Sequence, residues 1–120
     1  MATPSASISG VVDRTGAGDA AIATWALTTA DHTGVGIAYE NYQDRTYHVF
    51  GTFGGATVVW EGSLDGGTTW GILHDPQGNA TGETVAQIET LSEAVPLIRP
   101  RLSVVGSGAA ITCALYMRRS

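Results

Sequence analysis

The chain has 120 residues, which is one domain with one hydrophobic core. Charged residues make up 14% of it, where about 25% is usual, and the net charge is −5 with all six positive charges on Arg; an acidic chain without Lys has no basic stripe for a nucleic-acid backbone. No run of about 18 apolar residues is present, so no membrane-spanning helix is expected, and the single cysteine, Cys113, excludes an internal disulfide framework or a cysteine-rich zinc site.

Residues 1–19 are small, polar and Gly-rich, with one apolar patch at Val11 and Val12. They read as an N-terminal arm or a loosely packed edge strand, ahead of a single domain over 20–120. The start, MATPSASISG, lacks a charged segment followed by an apolar stretch, so the chain is expected to be made in a cytoplasm. The first strand pattern is AAIATWALTT, residues 20–29, with Ala23, Trp25 and Leu27 on one face by period two. Gly34 and Gly36 break the pattern before Ile37.

TYHVFGTF, residues 46–53, puts Tyr47, Val49 and Phe53 on one face and His48 and Phe50 on the other. ATVVWE, residues 56–61, is the next strand, and TWGILH, residues 69–74, is expected to return beside it. Residues 84–94 carry Val85, Ile88 and Leu91 at intervals of three, which allows a turn or two of helix, while the Thr-rich flanks allow a strand. Pro96 and Pro100 limit any helix there and place the strand 97–105 near a sheet edge. That strand and residues 109–118 are expected to form a hairpin over Gly106, Ser107 and Gly108, with Ile111, Cys113, Leu115 and Met117 sharing one face. About seven to eight short strands, frequent turn signals and no long helical period predict an all-β fold, an antiparallel β-sandwich or jelly roll with an N-terminal arm.

Residues that could carry chemistry are sparse. The Gly-rich stretches at 34–36 and 51–55 lack the Lys-Ser/Thr ending of a phosphate loop. His32, His48 and His74 are far apart, and the adjacent pairs Asp31-His32 and His74-Asp75 point to opposite faces of a strand, so neither chelates a metal. Ser63 lacks the Gly-x-Ser-x-Gly setting of an exposed nucleophile, and Cys113 lies between apolar neighbours as an inert thiol. Glu61 and Asp65 are close in sequence, but a hairpin tip has no cleft to hold a sugar between two carboxylates. No enzyme activity, cofactor or metal is expected.

SLDGGTTW, residues 63–70, has Ser63, Asp65, Gly67, Thr69 and Trp70 in the order Ser-x-Asp-x-Gly-x-Thr-Trp. An Asp carboxylate accepts bonds from turn N–H groups, Gly supplies positive φ, and a Trp ring packs over the loop, facing the core. The stretch resembles the Asp-box, a hairpin motif of sialidases and other β-proteins. That resemblance implies a structural turn away from catalytic residues; a single copy in 120 residues does not carry over the sialidase propeller.

A broader resemblance covers most of residues 46–119. The stretches WEGSLDGGTTW, DPQGN (75–79) and IRPRLSVVGSG leading into the last strand are similar to the small β-rich proteins encoded among tailed-phage head genes, several of which are capsid cement or decoration proteins. It implies a structural protein of the virion capsid, with the major capsid protein or other virion proteins as partners, a homo-oligomer, and no nucleic-acid or membrane contact. The residues expected to make protein contacts are Ile8, Val11 and Val12 of the arm and the arginines Arg99, Arg101, Arg118 and Arg119, since Arg is enriched at interface centres. The alternative for each arginine is solubility or a local ion pair. For the whole chain the alternatives are a carbohydrate-binding β-sandwich module stacking sugars on Trp25, Tyr39, Tyr42 or Trp60, and a tail or connector component.

Overall fold

A computed structural model describes residues 7–10, 20–38, 45–93 and 95–118. Eight strands form two antiparallel sheets packed as a sandwich: β1 (Ser7–Gly10), β2 (Ala20–Thr28), β3 (Arg45–Thr52), β4 (Thr57–Ser63), β5 (Gly71–Ile72), β6 (Gln87–Leu91), β7 (Leu97–Val104) and β8 (Ala110–Arg118). The larger sheet has the order β1-β2-β8-β3-β6, the smaller β5-β4-β7.

The larger sheet is set by alternation. Trp25 of β2 stands opposite Cys113 of β8, which stands opposite Val49 of β3, and all three are fully buried. A slip of one residue in either pairing would turn these side chains to the outer face, so the apolar face locks the register. Ala23, Leu27, Tyr47, Ile111, Leu115 and Met117 fill the same layer. Of residues 46–53, Tyr47 and Val49 face the core and Phe53 packs partly against it, while His48 and Phe50 stack on the outer side with ring centroids 4.6 Å apart.

The smaller sheet supplies Val58, Trp60, Ile98 and Leu102. Trp60 meets Trp25 edge-on at 5.5 Å between centroids and Tyr47 at 5.2 Å, so three rings from β2, β3 and β4 join the sheets at the centre, in the offset geometries that the ring quadrupole favours. Tyr47 Oη donates to Glu83 Oε2 at 2.7 Å; burial, helped by that carboxylate, raises its pKa. The indole N–H of Trp60 is buried without a hydrogen-bond partner.

Both margins of the smaller sheet are lengthened by irregular chain. Residues 32–37 run along β7 through Gly34 N to Pro100 O, Ile37 N to Ile98 O and Leu102 N to His32 O, at 2.8–2.9 Å. Pro100 has no N–H to return, and the next carbonyl of that segment, Val35, accepts Trp25 Nε1 at 2.8 Å instead. On the other side, Leu73, Thr81 and Glu83 bond to β4 beyond the two residues of β5.

Of the two alternatives for residues 84–94, the described residues take the strand and form no helix: β6 pairs antiparallel with β3, and Val85 and Ile88 are exposed while Leu91 is buried, so the spacing of three does not mark one face. Residue 94 lies outside the described residues. Nor do β7 and β8 form a hairpin, since β7 pairs with β4 and β8 with β2 and β3. The chain crosses from one sheet to the other through Gly106–Gly108, and the apolar faces of β7 and β8 contribute to one core. Alternation marks which face of a strand is buried but not which strand lies beside it, and Gly-Ser-Gly serves an arch between sheets as well as a tight hairpin.

Candidate functional site

Strand β4 leaves the core at Ser63, and the chain turns over residues 63–70 before returning as β5, which pairs Glu61 with Ile72 and Gly62 with Gly71. The turn is held by two side chains. Asp65 Oδ1 accepts Ser63 Oγ at 2.8 Å, Thr69 N at 2.8 Å and Thr68 N at 3.1 Å, and Ser63 Oγ in turn accepts Gly67 N at 2.9 Å. Gly67 has φ of 96°, a region that a side chain disfavours. The Thr69 N–H first, with the Ser63 and Thr69 hydroxyls, holds the Asp65 carboxyl down at about 2. Oδ1 is thus turned to its own loop, which is the geometry of a clamp.

Trp70 closes the turn, donating Nε1–H to Gly67 O at 2.9 Å. The sequence suggested a ring facing the core, but the ring does not enter it. It lies half-exposed outside the smaller sheet, where a Cβ on Gly36 would meet its Cη2 at 2.8 Å and the Arg99 guanidinium sits 4.0 Å from its centroid. Glu61, on the same outer face, is buried and accepts Arg99 Nε at 3.0 Å and Arg101 Nε at 2.9 Å. The local ion-pair reading of these two arginines is thus the arrangement seen, with both side chains still partly exposed. The alternate spacing of Arg99 and Arg101 was visible in the sequence; that β7 lies beside β4 and brings them to Glu61 was not.

Other singled-out residues scatter. Arg118 ends β8 and is exposed; Val11, Val12 and Arg119 lie outside the described residues, as do Tyr39 and Tyr42. Ile8 is placed on β1 by its backbone, opposite Ala23. Trp25 and Trp60 are fully buried, so neither offers a face to a sugar. A second acid–base pair escaped sequence reading: His74 Nδ1 lies 2.6 Å from Glu93 Oε2, and His74 N donates to Glu93 Oε1 at 2.7 Å. Burial opposes ionisation of Glu93, but the His74 N–H and ring outweigh it and lower its pKa. The pair ties the chain after β5 to the chain after β6. Asp75 accepts Gln77 N and Asn79 N within its own turn. Among the described residues no group of three or more His, Cys, Asp or Glu is placed to hold a metal ion.

A further surface feature is the outer face of the larger sheet, where Phe50 and Ile88 are exposed and no carboxylate projects among the described residues of β2, β8, β3 and β6. No protein-family model, curated protein or solved structure matches the chain.

Proposed function

We propose that the chain is a structural virion protein, a bacteriophage capsid decoration or cement protein that binds assembled capsid subunits and reinforces their joints. The observation that carries this reading is the place of β1. It is a four-residue, uncharged strand at the end of the larger sheet, paired on one side with β2, and an edge of that kind accepts a strand or surface from a neighbour. The similarity of WEGSLDGGTTW, DPQGN and IRPRLSVVGSG to small phage head proteins supports it, as does the clamp, which uses Asp65 and the Ser63 hydroxyl to hold a turn.

The mechanism is linkage. A protein that binds only the assembled lattice stabilises that state, by about 2.7 kcal/mol when its free concentration is about a hundred times the dissociation constant. Ile8, Val11 and Val12 of the arm make the first contact, with Arg118 and Arg119 at the other end of the chain. Arg99 and Arg101, held in place by Glu61, present pre-oriented guanidinium edges.

Deleting residues 1–12 removes β1 and the patch after it and leaves in place the core residues named above. The truncated chain is expected to keep its far-ultraviolet spectrum and cooperative melting while no longer co-sedimenting with shells of the major capsid protein encoded in the same genome. Wild-type occupancy of the shells by the truncated chain would show that the arm is not the docking element.

A further inference from the structure

We infer that the outer face of the larger sheet is a two-fold interface with a second copy of this chain. Across β2, β8, β3 and β6 the outward positions carry Thr, Ala, Ile, Tyr, Phe and His48, and no charged side chain occurs among them until Arg118 at the margin. Glu89, the acid on β6, stands opposite Tyr47 and so turns to the other side. For a chain of net charge −5, association with a copy of itself is least opposed across a face without carboxylates. The same lack of charge gives the face nothing with which to select a charged partner.

Shape points to the same occupant. β8 is the middle strand of five. On its β3 side stands a ridge of His48, Phe50 and Ile88, with His48 opposite Ile88 and its ring stacked on Phe50. On its β2 side lies a trough, because Ala26 stands opposite Thr112 and Thr112 opposite Phe50, giving one row Ala26–Thr112–Phe50 across the sheet. Ala26 and Phe50 are both exposed. A two-fold axis lying in the interface along β8 exchanges the two sides, so Phe50 of each copy comes over Ala26 of the other at the same level. The ridge then fills the trough twice, as an isologous contact requires, in the face-to-face packing that sheets adopt about 10 Å apart. Four strands about 4.8 Å apart and about 26 Å long present roughly 500 Å² of flat area per copy, and the pair reaches the roughly 1,000 Å² total of a specific interface.

This inference does not depend on capsid binding, and its test uses the full chain alone. Sedimentation equilibrium over a wide concentration range is expected to show a monomer–dimer equilibrium ending at twice the chain mass. Phe50→Asp is expected to raise the dimer dissociation constant by about thirtyfold or more, the loss typical of a buried aromatic anchor. Ala26→Phe, which fills the trough without adding charge, is expected to act in the same direction. Both sites are exposed, so the melting transition of the folded chain should be retained. Leu64→Asp, at an exposed apolar side chain on the hairpin tip, should leave the dimer intact. A chain that stays monomeric, a stoichiometry other than two, or a dimer that both Phe50→Asp and Ala26→Phe leave unchanged would overturn the inference. So would a monomer whose Phe50→Asp variant loses shell binding, which would give this face to the shell.

Discussion

Oδ1 of Asp65 accepts three hydrogen bonds at 2.8–3.1 Å from a hydroxyl and two backbone N–H groups of its own turn. Such bonds favour the ionised carboxylate, and the folded-state pKa near 2 lies below the ordinary 3.8. The unfolded chain therefore binds this proton more readily. The contribution of Asp65 to stability is fully present above pH 3.8 and is lost as the pH falls through about 2. Asp65→Asn should lower the urea midpoint relative to wild type at neutral pH, and most of the difference should be lost as the pH falls to about 2. Urea titrations of both proteins at several pH values measure it. A difference that is the same at pH 2 as at neutral pH would mean that the carboxylate's charge contributes nothing to the turn. Ser63, Asp65, Gly67 and Thr69 were legible because a turn is local: every atom the clamp needs lies within eight residues.

At the scale of elements, β4 and β7 are joined by Glu61, Arg99 and Arg101 as well as by their ladder. The two arginines are not equivalent, because only Arg99 also covers the Trp70 ring, at 4.0 Å. Losing one charged hydrogen bond from a buried carboxylate, with the second arginine still present, should cost about 1 kcal/mol for Arg101→Ala, and the lost ring contact should bring Arg99→Ala to about 2 kcal/mol. Urea denaturation of the two variants compares them directly; an equal loss, or a larger one for Arg101→Ala, would show that stacking on Trp70 contributes nothing. The paired carboxylate was hidden in the sequence, since Glu61 and its partners are 38 and 40 residues apart. The same distance effect explains the mistaken hairpin. Residues 97–105 and 109–118 are neighbours in sequence and both alternate, but each finds a longer apolar match elsewhere, β7 along β4 and β8 between β2 and β3.

For the molecule as a whole, Cys113 reports whether the sandwich is closed. It is the middle residue of the Trp25–Cys113–Val49 row, and burial pushes its thiol up to about 12. The native protein should not react with an aromatic disulfide reagent at neutral pH, and one thiol per chain should appear as urea unfolds it, at the midpoint seen by circular dichroism. Reaction of the native protein at a rate independent of urea would show that the core opens locally around β8. The full core layer of β2, β3 and β8 was readable from period two alone, because a strand buried on one face writes its environment into every second residue.

By itself the sequence determined an all-β chain, the inward faces of β2, β3 and β8, the 63–70 turn and the edge position of the Pro-containing strand β7. Each of these follows from interactions within a strand or a loop, where residue type and spacing suffice. Tertiary structure alone decided which sheet each strand joins, that 87–91 is a strand on the rim of the larger sheet, that Trp70 lies outside the core beneath Arg99, and that His48, Phe50 and Ile88 stand together opposite a row of small residues. Those outcomes depend on which distant segments bury the most apolar surface together, and a single chain's local pattern does not contain that choice.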